Sequence, residues 1–105
     1  MDNYQTKADL IRANEAIGGH FFAPEAMTFF DSRISTGPIG GHYFVTSEKQ
    51  PRWMGGTGRR YTIRSIHRGA ITTVGEFQGF SSLAAAIREA RALARDENER
   101  KGRGQ

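Results

Sequence analysis

The stretch Arg59-Arg60-Tyr61-Thr62-Ile63-Arg64-Ser65-Ile66-His67 constrains the fold more than any other part of this chain. It contains neither glycine nor proline and sets aromatic and β-branched residues among basic ones, so it reads as a strand. Arg68-Gly69 supplies a tight turn, and Ala70 to Phe77 returns as a further strand. A lone hairpin is marginal in water, so this one needs another strand and a covering layer.

The rest of the sequence supplies both. His42 to Glu48 is rich in aromatic and β-branched residues and reads as the strand preceding the hairpin. Between them, Lys49 to Gly58 contains Pro51, Gly55, Gly56 and Gly58, which exclude regular structure and leave a long connection. Ser81 or Ser82 can cap a final helix running to about Arg95, with Leu83, Ile87, Ala90 and Ala94 on one apolar face. Its small alanines permit close approach to a sheet.

At the other end, Thr6 followed by Asp9 forms a capping-box pattern that predicts a helix over residues 6–17. Leu10, Ile11, Asn14 and Ile17 fall at helical spacing along it. Ala23-Pro24-Glu25 opens a second, shorter helix with Met27, Phe30 and Ile34 as its expected buried stripe. Residues 35–41 are dense in turn formers. The expected architecture is therefore α+β in the order α-α-β-β-β-α, a single domain over residues 1–95. Residues 96–105 hold no apolar side chain and are expected to form a charged, disordered tail.

Two phrases echo each other: Ile17-Gly-Gly-His20-Phe-Phe and Ile39-Gly-Gly-His42-Tyr-Phe. A duplicated histidine site is one reading. The other is a glycine turn used twice, each time ending one element and dropping the following aromatics into the core. The second fits the different settings of the two copies, one after a helix and one before a strand.

Charge carries the functional signal. The net charge is +4, but six basic residues and no acidic one lie between Lys49 and Arg68, which leaves the remainder net negative. A positive field confined to one segment suits phosphates or an acidic protein surface. Strand alternation puts Tyr61, Ile63, Ser65 and His67 on one face and Arg60, Thr62, Arg64, Ile66 and Arg68 on the other. The first face is read as core and the second as exposed, with arginines roughly 13 Å apart along it. Arg52, Trp53 and Arg59 in the preceding connection extend this candidate surface, Trp53 either stacking on a partner or folding back on the sheet. Arg88, Arg91 and Arg95 add a basic stripe on the last helix, at spacings of three and four, which forms one large surface with the strand arginines if the two adjoin and is otherwise a solvated helix flank.

Several function classes find no support. The chain has no cysteine, so a metal site would need His, Asp or Glu, and His20, His42 and His67 show no diagnostic ligand spacing. There is no GxSxG, and the glycines at 55–58 lack the ending of a phosphate loop. A histidine-based reaction would require two of the three histidines to meet near a carboxylate. His67 is read instead as a partly buried, hydrogen-bonded side chain. No export signal or membrane span is apparent, which agrees with a cytoplasmic setting.

From Arg60 through Gly75-Glu76-Phe77 and Gly79-Phe80-Ser81 into the Ala/Arg helix, the C-terminal half resembles the small DNA-binding domains of tyrosine integrases and AP2-type proteins. That resemblance implies a three-stranded sheet on one helix, with the open sheet face entering the major groove. The whole chain also resembles small uncharacterised proteins of actinobacterial phages and mobile elements, through GGHFFAPEAMTFFDSRI, GGHYFVTSE and TVGEFQGF. This implies a phage or mobile-element accessory protein in a bacterial host and supplies no activity, cofactor or site residue. The expectation is a non-enzymatic module without metal or cofactor, contacting nucleic acid through Arg52, Trp53, Arg59, Arg60, Thr62, Arg64, Arg68, Arg88 and Arg91. The alternative is an inhibitor or modulator of a host protein that uses the same arginines against an acidic surface.

Overall fold

The computed structural model describes residues 4–29, 32–49 and 58–103. Helix α1 spans Lys7–Ala16, and its start matches the capping-box reading. Thr6 Oγ1 accepts from the Asp9 backbone N–H, while the Asp9 carboxylate accepts from the backbone of Gln5 and Thr6. These bonds, with Arg12 nearby, hold the Asp9 carboxyl below its usual range. Helix α2, Pro24–Phe29, is a short turn of helix. Ile34 is not part of it.

Ile34 belongs instead to a strand that the sequence did not announce. Strand β1, Arg33–Ile34, pairs antiparallel with β2, Tyr43–Lys49, through Arg33 opposite Ser47 and Ile34 opposite Thr46. Strand β3, Arg59–His67, pairs with β2 along its length, and β4, Ala70–Val74, returns beside β3. Among the described residues the sheet therefore has four antiparallel strands in the order β1-β2-β3-β4, not three. Two residues are too few to show a period of two, and Ile34 was read instead into the stripe of the second helix.

Helix α3 runs from Leu83 to Arg103, eight residues past the expected end at Arg95. Ser82 Oγ accepts from the Ala85 N–H and starts it. Its Ala90 and Ala94 pack with Tyr43 and Ile63, with Ile39, Val74, Phe80 and Leu93 around them. Close approach is visible at Gly40 (φ +63°), where a Cβ would collide with that of Ala94.

The opposite sheet face is covered as well. Phe44 and Ile66 pack with Tyr4 and Leu10, and Ala13, Phe21, Phe22, Ile34 and Ile71 close the cluster. The turn between β3 and β4 is clasped to α1: Asn14 Nδ2 donates to the Gly69 carbonyl at 2.8 Å, and the Gly69 N–H donates to the Tyr4 hydroxyl at 3.2 Å. The sheet is thus a middle layer between α3 and the N-terminal segment. One expectation fails at this point: no open sheet face of the integrase or AP2 kind is present among the described residues.

The glycine echo is resolved by backbone geometry. Gly18, Gly40 and Gly41 all adopt positive φ, and the aromatics after each pair enter the packing, Phe21 and Phe22 on one side and Tyr43 and Phe44 in the sheet. His20 is exposed, whereas His42 is half-buried in a different environment. The repeat is a turn used twice.

Candidate functional site

The parity expected along β3 holds, but the exposure assigned to it does not. Thr62 and Ile66 are fully buried and Arg64 is 8% exposed. An arginine can lie there because its donors are met. Arg64 Nε donates to Thr46 Oγ1 at 3.1 Å, Nη1 to Thr73 Oγ1 at 2.6 Å, and Nη2 to the Glu48 carboxylate at 3.4 Å. Glu48 is fully buried and also accepts from Thr62 Oγ1 at 2.7 Å. The guanidinium carbon lies 5.1 Å from the centre of the Phe21 ring and 5.3 Å from that of Phe77. Burial pushes the Arg64 pKa below its ordinary value, and the Glu48 carboxylate works against that shift. Arg64 and Thr62 are therefore parts of an internal polar network, not of a contact surface.

The neighbouring basic residues are also engaged. Arg60 Nε donates to the Gln78 carbonyl at 2.7 Å, while Gln78 N–H donates to Thr62 Oγ1 and its side chain reaches the Lys49 carbonyl. The segment after β4 thus folds back over this face and half-buries Arg60. Arg59 binds Ser47 through both its hydroxyl and its carbonyl. Arg68 is exposed, but it sits at φ +51° in the β3–β4 turn, away from this group. Arg52 and Trp53 lie outside the described residues.

The remaining candidates do come together. Arg88, Arg91 and Arg95 are exposed and line a shallow trough with Ala84 and Ile87. At about 100° per residue, the three arginines fall within about 60° of one another, and Glu89 stands about 100° beyond Arg88. No hydrogen bond or ion pair holds any of the three among the described residues. Ala86, Ala90 and Ala94 turn the opposite side of the helix into the sheet. Among the described residues this exposed arginine stripe is a basic surface that the fold leaves open.

A second polar cluster brings two of the three histidines, His42 and His67, together beside a carboxylate, the meeting that a histidine-based reaction would require. His42 Nδ1 lies 2.9 Å from Ser65 Oγ, His42 Nε2 lies 2.9 Å from Glu97 Oε1, and Tyr43 donates its hydroxyl to Glu97 Oε2 at 2.8 Å. His67 Nε2 approaches the same serine oxygen at 3.0 Å, and the two imidazole centres are 4.7 Å apart. With Glu97 ionised, a neutral His42 carries its proton on Nε2, accepts from the Ser65 hydroxyl at Nδ1, and leaves Ser65 Oγ to accept from His67. The order serine, histidine, carboxylate matches that of a hydrolytic relay. Access does not, because Ser65 is 4% exposed and its oxygen is engaged by both imidazoles. The cluster ties α3 to the sheet. His67 is hydrogen-bonded as expected, though exposed rather than partly buried. Glu97 was read only as one of the acids of the helix and tail, although it follows Ala90 and Ala94 on the same helical face.

Two further statements bound the chemistry. Among the described residues no three His, Asp or Glu side chains are grouped to hold a metal ion, and no helix is long and apolar enough to cross a membrane. No similar curated protein and no similar solved structure is found. A family model matches residues 6–91, from the cap of α1 well into α3. The chain therefore belongs to the family of unknown function DUF7447.

Proposed function

We propose that this chain is a small non-enzymatic binding module that contacts a nucleic-acid backbone through the outer face of α3. The observation that carries the reading is the exposed set Arg88, Arg91 and Arg95, unpaired among the described residues. Arg88 and Arg95 are separated by about 10 Å along the helix axis, a span over which successive phosphates can be met. The sheet arginines take no part in this contact. Arg64 shapes the core, while Arg59 and Arg60 hold the strands and the segment after β4. A phage or mobile-element protein acting in the cytoplasm of a bacterial host is the setting that the sequence resemblance suggests.

The test is an electrophoretic shift with random duplex DNA, single-stranded DNA and RNA at two salt concentrations, with Arg88, Arg91 and Arg95 changed together to Gln. Binding should weaken with salt, and the variant should lose up to about 2.7 from the log–log salt slope on duplex, about 0.9 for each phosphate released. No shift at low salt, or an unchanged slope in the variant, overturns the reading. Glu89 and Asp96 are exposed on the flank beside the arginines and would repel a phosphate chain that strays from the stripe. That mixed-sign border favours, as the second reading, an acidic host protein held by the same three arginines. Capture of a protein dependent on those arginines, without any nucleic-acid shift, would select it.

A further inference from the structure

The fold leaves one groove that neither the basic stripe nor the histidine cluster uses. It lies where the end of β4 and the following turn meet α3, and it has a volume of about 320 Å³. Ile63, Val74, Phe80 and Leu93 form its apolar lining. Local pairing fixes that lining: Val74 stands opposite Ile63 at the end of β4, and Phe80 bridges Tyr61 on the continuation of β3. The chain between them closes a tight turn, with the Gly79 N–H donating to the Glu76 carbonyl at 3.1 Å.

Two carboxylates border this apolar surface, Glu76 from the turn and Glu89 from α3. Both are exposed, and among the described residues neither is engaged in an ion pair or a side-chain hydrogen bond. Among the described residues no basic side chain lines the groove. The volume is at the small end of the range for ligand sites, which are mostly apolar with a few polar groups that fix orientation. An anion would meet repulsion here, and a neutral apolar molecule would leave the carboxylates without a counter-charge. A cation on a compact apolar body satisfies both parts at once.

We propose that the groove between β4 and α3 binds a small amphiphilic amine, an aryl or short alkyl body buried against Ile63, Val74, Phe80 and Leu93 with its ammonium between Glu76 and Glu89. Arg88, Arg91 and Arg95 line a separate trough on α3, so this site stands or falls independently of the nucleic-acid reading.

Phenethylammonium serves as the probe, titrated into the full chain and followed by amide chemical shifts. Phenethyl alcohol is the neutral comparator and 3-phenylpropionate the anionic one. The expected result is saturable binding of the ammonium in the millimolar range or tighter, with shifts at Ile63, Val74, Phe80 and Leu93. The alcohol and the carboxylate should bind at least about tenfold more weakly. Glu76→Gln with Glu89→Gln changes only exposed side chains, and a melting curve checks that the fold is kept. In that variant the ammonium should lose its advantage over the alcohol. Absence of shifts up to about 10 mM, equal affinity for the alcohol, or an unchanged preference in the double variant would each overturn the proposal.

Discussion

Changing Glu48 to Ala tests the central energetic claim about this fold, that a buried arginine is tolerated in the sheet only because a carboxylate answers it. Glu48 is fully buried and Arg64 nearly so, and the substitution removes the acceptor 3.4 Å from Nη2. Thr46 and Thr73 remain as neutral partners of the guanidinium, and Thr62 loses the acceptor of its hydroxyl. Stripping one partner from a buried ion pair costs about 3–5 kcal/mol, because the other charge is left uncompensated. For a domain of about this size each kcal/mol lowers Tm by about 4–8 °C, so a fall of at least about 12 °C is expected. The double change Glu48→Leu with Arg64→Met removes both charges while keeping apolar volume. It should be less destabilising than Glu48→Ala, because replacing both members of a buried pair is often close to neutral. Part of that recovery is forfeited with the contacts of Arg64 to Phe21 and Phe77. Urea unfolding of the wild type, Glu48→Leu, Arg64→Met and the double variant gives the coupling directly. If Glu48→Ala costs less than about 1 kcal/mol, or the double variant is worse than either single one, Arg64 does not depend on the Glu48 carboxylate for its place in the sheet.

Two further outcomes follow from the clasps between layers. Gly69→Ala should lower stability by about 2–4 kcal/mol in a thermal melt, since φ is +85° and the new methyl meets the Ala13 carbonyl oxygen of α1; a fall in Tm below about 4 °C would contradict the docked turn. Glu97→Ala removes the acceptor of His42 and Tyr43 and should cost about 1–2 kcal/mol, with faster amide exchange in the last two turns of α3 than in β3. Unchanged exchange there would show that the helix end is held by something else.

The parts of this fold that were legible in the sequence are those with local causes. The Thr6–Asp9 box starts α1 where expected because both halves of the motif lie within one turn. The bounds of β3 match because the run of β-forming residues is long and closed by Arg68-Gly69. Two boundaries were misplaced, each for its own reason. Residues 96–103 look like a tail by composition, yet they continue a helix whose preceding turns are fixed on the sheet and whose Glu97 is anchored by two side chains. Helix propagation costs little once the start is paid, and alternating charges permit it. Phe77 was assigned to β4, but the strand stops at Val74 and Gly75 turns the chain at φ +75°.

The candidate site was misread at one inferential step, which separates pattern from partner. Alternation correctly sorted Arg60 and Arg64 onto the side opposite Ile63, although Arg68 falls in the turn beyond the strand, and the charge of an arginine was then taken to mean water. That inference fails whenever another strand offers a carboxylate on the same face, as β2 does with Glu48 alongside Phe44 and Thr46. A single-strand pattern cannot contain this information, because it depends on the register between β2 and β3 and on the aromatics that α1 and its following turn lay over the pair. On α3 the same arithmetic worked, since one helix carries both its buried alanines and its arginines and the periodicity alone divides them. The general consequence is that basic residues in a sheet between two layers are counted as surface only after the facing strand has been searched for an acid, whereas on an amphipathic outer helix the sequence is sufficient.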